Sequence, residues 1–194
     1  MGLNIEDGTG KGYQVKVNSE NQMETVSVNH ELQHHISRHE GTVYQIIGGL
    51  TDVWNGTNVV LHINNSDPAR KAVISYMRFQ CPGPSGSGML PDNETYFQIG
   101  RDTTYSSGGT EATAVNMNLS SGNEASLAAY KDNPAVTGTF TEFDRWYPTH
   151  SMMTFNKHGS LILGLDDSIE VRLVTNRPEL PNAYCRITIM MMDI

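Results

Sequence analysis

Basic residues are scarce in this chain: 13 Lys and Arg stand against 21 Asp and Glu, a formal net charge of -8. A nucleic-acid binder needs a basic stripe to release counterions from phosphates, so that class is excluded. The charge is spread along the chain and serves solubility. Cysteine is nearly absent. Cys81 and Cys185 are too few for a disulfide framework, and each flanks an apolar strand-like run where buried thiols are common. A reducing compartment disfavours a bond between them. Long apolar runs are missing as well, with none near the roughly 18 residues of a bilayer span. Met1 to Gly12 is polar and glycine-rich, unlike the apolar centre of a secretory signal. The expectation is a soluble protein made in a cytoplasm. In that setting the Asn-x-Ser/Thr triplets at Asn55, Asn64, Asn93 and Asn118 carry no glycosylation meaning.

Turn formers are plentiful. Eighteen Gly and eight Pro, with many Asn, Ser and Thr, suit short strands joined by turns. A length of 194 residues suits one β-domain with an additional segment. Residues 1–40 read as that segment, an extended arm. Tyr13, Val15 and Val17 alternate, a polar turn follows, and Met23, Val26 and Val28 form a second strand-like run. From His30 to Glu40 only Leu32 and Ile36 are apolar, four residues apart, which suits a turn or two of helix or an extended linker equally.

Residues 41–194 read as a β-sandwich. Val43 to Ile47 is apolar and stops at Gly48-Gly49; Val59, Leu61 and Ile63 alternate with His62 and Asn64. In Lys71 to Cys81 the set Val73, Ser75, Met77 and Phe79 shares one face and Ala72, Ile74 and Tyr76 the other. Both faces are partly apolar, as in a central strand. Thr95, Phe97 and Ile99 alternate, and beyond a Gly108-Gly109 turn so do Thr113, Val115, Met117 and Leu119. Asn123 to Asp132 suits a short helix or, better, a strand. Leu161 to Leu163, an acidic turn, and Ile169, Val171 and Leu173 make a strand, a turn and a half-buried strand. The apolar run Tyr184 to Met192 must be paired inside a sheet, because a bare edge of that kind aggregates. About eight strands with turn signals between them predict an all-β, jelly-roll-like, two-sheet sandwich with an N-terminal arm or hairpin.

Candidate chemistry is sparse. His30, His34, His35 and His39 fall in i, i+4 pairs that on a helix would grip zinc or nickel, with Glu31 and Glu40 beside them. The preferred reading is a polar linker, ahead of a metal site and of a pH-sensitive contact, so no metal and no cofactor are expected. Gly83 to Gly88 lacks both the Lys-Ser/Thr of a phosphate loop and the Gly-x-Ser-x-Gly of a nucleophile elbow. Asp166-Asp167 reads as a turn former. Glu142 and Asp144 lie beside Trp146 and Tyr147, and carboxylates next to aromatics suit glycan contact, against the plainer reading of a strand edge. No single motif joins a nucleophile, a base and an orienting group, so no catalytic residue is assigned.

Two segments carry a resemblance. Met1 to Gly10 with Val15-Lys16-Val17-Asn18 and Asn21, and Gly100-Arg101-Asp102 through Tyr105 to Thr110 and on to Asn118, resemble small virion structural proteins of tailed bacteriophages. The resemblance implies a non-enzymatic particle component, a head decoration or cement protein. Its arm would contact the major capsid protein and sister subunits in a homo-oligomer, with a trimer first in line. Tyr13, Val15, Val17, Met23, Val26, Val28, Leu32 and Ile36 are then the contact residues. A tail, collar or fibre component that touches the host surface is the alternative. A cupin-like metal enzyme or sugar-binding module comes third.

Overall fold

The computed structural model describes residues 41–80, 95–148, 152–176 and 185–193. The arm residues named above, the histidines from His30 to His39, and the Gly83 to Gly88 loop lie outside the described residues. Those that are described form eleven strands and no helix. The strands are β1 (Val43–Leu50), β2 (Gly56–Asn65), β3 (Ala72–Gln80), β4 (Thr95–Ser107), β5 (Thr110–Glu111), β6 (Ala114–Asn116), β7 (Leu127–Lys131), β8 (Ala135–Trp146), β9 (Met152–Leu163), β10 (Ser168–Thr175) and β11 (Cys185–Asp193). They pair antiparallel in two sheets, β6-β1-β11-β3-β9 and β5-β7-β2-β10-β4-β8. The short strands β5 to β7 extend both sheets on the β1/β2 flank. At the other ends β8 and β9 are the edges.

One core takes side chains from both sheets. Tyr44 and Ile46 of β1, Ile74, Met77 and Phe79 of β3 and Ile189 of β11 join Leu61 and Ile63 of β2, Phe97 and Ile99 of β4, and Val171 and Leu173 of β10. The Phe79 and Phe97 rings, one from each sheet, lie 4.8 Å apart and tilted, the arrangement that ring quadrupoles favour. As expected, β11 is an inner strand, between β1 and β3.

Register shifts decide which residues reach this core. β3 slips against both neighbours between Ile74 and Tyr76: Ser75 is the extra residue against β11, while against β9 the longer excursion is on β9, between Asn156 and Leu161. A bulge moves the chain to the opposite phase of the pleat. Ile74 before the bulge and Met77 and Phe79 after it are therefore all buried, although strict alternation assigns them to opposite faces. In the same way β2 slips against β10 at Val171/Arg172, which takes Val59 out of line with Leu61 and Ile63.

Loops are pinned by side chains that mimic backbone. Asp132 and Asn133 both have positive φ, a conformation these two residue types tolerate better than most. Asp132 Oδ1 accepts the Thr51 N–H at 3.0 Å and Asn133 Oδ1 accepts the Val59 N–H at 2.8 Å, fastening the β7–β8 turn to β1 and β2. At the end of β11, buried Asp193 accepts the Ser126 N–H and Oγ–H at 2.9 and 2.8 Å. Arg70 bridges Asp193 to Asp67. Burial raises the Asp193 carboxyl above the ordinary carboxylate value, against the opposing pull of the Ser126 bonds and Arg70.

Candidate functional site

The outer face of the six-stranded sheet carries a row of polar side chains, with His62, Glu170 and Glu142 among them. Register aligns Glu111, Tyr130, His62, Glu170, Gly100 and Glu142 in one row across β5, β7, β2, β10, β4 and β8. In the next row Ala128, Asn64 and Ser168 stand side by side.

Glu142 and Asp144 do not act as a pair. β8 slips against β4 between Asp144 and Glu142, with Phe143 as the extra residue, so Asp144 aligns with core-facing Ile99 and Glu142 with outward Gly100. On the inner side Asp144 accepts the Trp146 indole N–H, and the Trp146 ring packs 5.5 Å from Phe79. On the outer side Arg145 grips Glu142 with two bonds of 2.6 and 2.8 Å, and Gln98 donates a further one. Arg145, through these bonds, holds the Glu142 carboxyl below its ordinary value. The guanidinium also lies 4.7 Å over the Tyr96 ring. Tyr147 is 46% exposed and tilted against Tyr96 at 5.4 Å. Of the four residues read as a glycan contact, only Glu142 and Tyr147 share the outer face, and Glu142 is already engaged.

His62, in the middle of the row, is fully buried and lies directly opposite fully buried Glu170. Its Nε2–H donates to the Thr103 carbonyl at 3.1 Å, so in the neutral ring Nδ1 is the nitrogen without a proton. Burial lowers the His62 pKa, opposed by the Thr103 bond and the Glu170 charge. Glu170 accepts from Arg172 through Oε1. His62 Nδ1, Glu170 Oε2 and Thr103 Oγ1 are buried without partners.

The cover over this row comes from β4 itself. Its first half pairs with β10. Beyond Asp102, which has φ 70°, the strand crosses the outer face, so that Thr103 meets His62 of β2 and Tyr105 stacks on Tyr130 of β7 at 3.6 Å. β8 accompanies it, with Gly138 opposite Thr103 and the Phe140 ring lying over Gly100 and 3.6 Å from the Arg172 guanidinium. Two hollows lie against this ribbon and share Thr103, Thr104, Asp166 and Ser168. One, of about 630 Å³, runs between β8 and the β9–β10 turn past Arg101, Phe143 and Ile162. The other, of about 440 Å³, lies toward β7 and includes Asn64, Tyr130 and Asp166.

A second surface was read with its faces reversed. Val115, Met117 and Leu119, expected as the apolar face of a strand, are exposed, Leu119 by 90%. β6 is a three-residue edge strand whose Ala114 packs on the core. Asn116 turns back to donate to the Gly41 carbonyl at 2.8 Å. Ile47 of neighbouring β1 is also exposed.

One sequence pattern in the histidine stretch is stronger than i, i+4 spacing alone. His30-Glu31-Leu32-Gln33-His34 has the His-Glu-x-x-His order that on a helix supplies two zinc ligands and a general base. It counts against reading the stretch as a bare linker. Among the described residues no group of three His, Cys, Asp or Glu side chains is placed to hold a metal ion. Comparison with protein-family models, curated proteins and solved structures finds no match for this chain.

Proposed function

We propose that this chain is a non-enzymatic structural protein of a tailed-phage virion that decorates or cements the head. It would reach the major capsid protein and sister subunits through residues 1–40. The sandwich is read as a jelly roll. Taking β1, β2, β3, β4, β8, β9, β10 and β11 as the eight long strands, the order is first-eighth-third-sixth in one sheet and second-seventh-fourth-fifth in the other. Two Greek keys wound together produce that order, and capsid and lectin domains are among the proteins built on it.

The observation that carries the assembly reading is a set of exposed apolar residues: Val115 on β6, Met117 and Leu119 in the turn that follows it, and Ile47 on neighbouring β1. Large apolar side chains left in solvent at a sheet edge and in the turn beyond it suit a surface that another chain covers. The two carboxylates read as a glycan contact are already engaged, Glu142 with Arg145 and Gln98, and Asp144 with Trp146. A symmetric homo-oligomer is the expected state, with a trimer the first arrangement to test. A cryo-EM map of the purified particle tests the proposal. Density for this chain on the capsid lattice, with residues 2–40 across its neighbours, is the expected result. Density confined to the tail or portal would replace it with the second reading, a tail, collar or fibre component. The exposed Tyr147 beside Tyr96 favours that alternative.

A further inference from the structure

The hollow of about 440 Å³ beside the β4 ribbon has the make-up of a small-molecule site and shares Thr103, Thr104, Asp166 and Ser168 with the larger hollow next to it. Its volume falls within the range of ligand pockets. The sheet supplies a polar floor: Asn64 and Ser168 are directly paired across β2 and β10, with only Ala128 between them and the β7 edge. Tyr105 and Tyr130, stacked in parallel at 3.6 Å, form an aromatic wall. The ribbon closes one side with Thr103 and Thr104, and Thr103 is fixed there by the bond its carbonyl accepts from His62.

The rim carries the one charged group that the described residues bring to the hollow, Asp166. Of the two adjacent acids, Asp167 does the turn-forming, accepting the Gly164 N–H at 2.8 Å through Oδ2. Asp166, at φ 63°, donates its backbone N–H to the Asn65 carbonyl at 2.8 Å and is exposed on the rim. A fixed backbone thus presents a carboxylate above an amide, hydroxyls and an aromatic wall.

We infer that this hollow binds a neutral sugar unit. A carboxylate accepts two vicinal hydroxyls with charge-assisted bonds, an amide such as Asn64 both donates and accepts, and a tyrosine wall takes the apolar C–H edge of a pyranose. An anionic sugar is disfavoured, because Asp166 is the only charge in the lining among the described residues and the chain has a net charge of -8. The inference does not depend on the virion role and stands or falls separately.

The test is a two-dimensional NMR titration of the full chain with glucose, galactose, mannose and N-acetylglucosamine in turn, with galacturonate as the anionic control. The expected result is saturable shifts of the Asn64, Tyr130 and Asp166 amides by at least one neutral sugar, with a Kd of roughly millimolar order. Galacturonate should bind at least about tenfold more weakly. Asp166→Asn keeps a residue type that tolerates positive φ, and should weaken binding about tenfold without lowering Tm. No saturable shift from any neutral sugar, shifts confined to the Tyr96 and Tyr147 surface, or full affinity in Asp166→Asn would each overturn the assignment.

Discussion

Single atoms decide much at the outer face of the six-stranded sheet. A methyl group at Gly100 would overlap the Phe140 ring and come within 2.8 Å of the Thr141 carbonyl. Gly100→Ala should therefore destabilise the protein by about 1–3 kcal/mol, the usual penalty of overpacking, measured by urea unfolding. His62 gives the complementary case in charge. Tyr130, Glu170 and, through Glu170, Arg172 are the titratable and charged neighbours in its row. Its folded pKa is lowered by burial. In the unfolded chain it titrates near the ordinary value of about 6.5. Above that value both states hold a neutral ring. As pH falls through it, the unfolded chain takes up the proton first and stability declines. Unfolding free energies at pH 7.5 and 5.5 should show a loss for the native protein and a smaller one for His62→Gln. An equal loss in both would mean that another group dominates.

Bulges and edges are the devices at the scale of elements. Alternation in the sequence located β2, β4, β10 and β11, because each has one apolar face and period 2 is a property of any extended chain. Alternation could not show where a strand changes phase. Ser75, Phe143 and the irregularity at Val171/Arg172 matter only once a partner strand is present to count against. The separation of Glu142 from Asp144 was illegible for that reason, and so was the merging of Ile74 with Met77 and Phe79 on one face. The exposed apolar set at β6 and the turn after it leads to a direct expectation. Replacing Met117 and Leu119 together by Glu should leave Tm nearly unchanged, since both are exposed, and should lower the mass found by light scattering if this edge is covered in the assembly. An unchanged mass would move the assembly surface elsewhere.

For the whole molecule, the reading as a structural protein meets its sharpest challenge in His30-Glu31-Leu32-Gln33-His34. Purified protein equilibrated with zinc and then passed through desalting should retain no stoichiometric metal. One equivalent retained, and lost in His34→Ala, would instead favour a metal enzyme. The class of the fold was determined by the sequence alone: abundant turn formers, short alternating runs and a final apolar run that had to be paired all dictate antiparallel sheets. These are local properties of the backbone and of hydrophobic burial, and they hold wherever the strands are placed. What only the tertiary structure decided was the company each side chain keeps. Asn64, Tyr105, Tyr130 and Asp166 are spread over about a hundred positions of chain and meet at one hollow because β4 crosses the sheet. Val115 faces solvent because β6 pairs at an edge, and Met117 and Leu119 because the strand ends at Asn116 and the chain turns. Juxtaposition depends on strand order and register, which arise from pairing between distant segments and leave no periodic trace within any one of them.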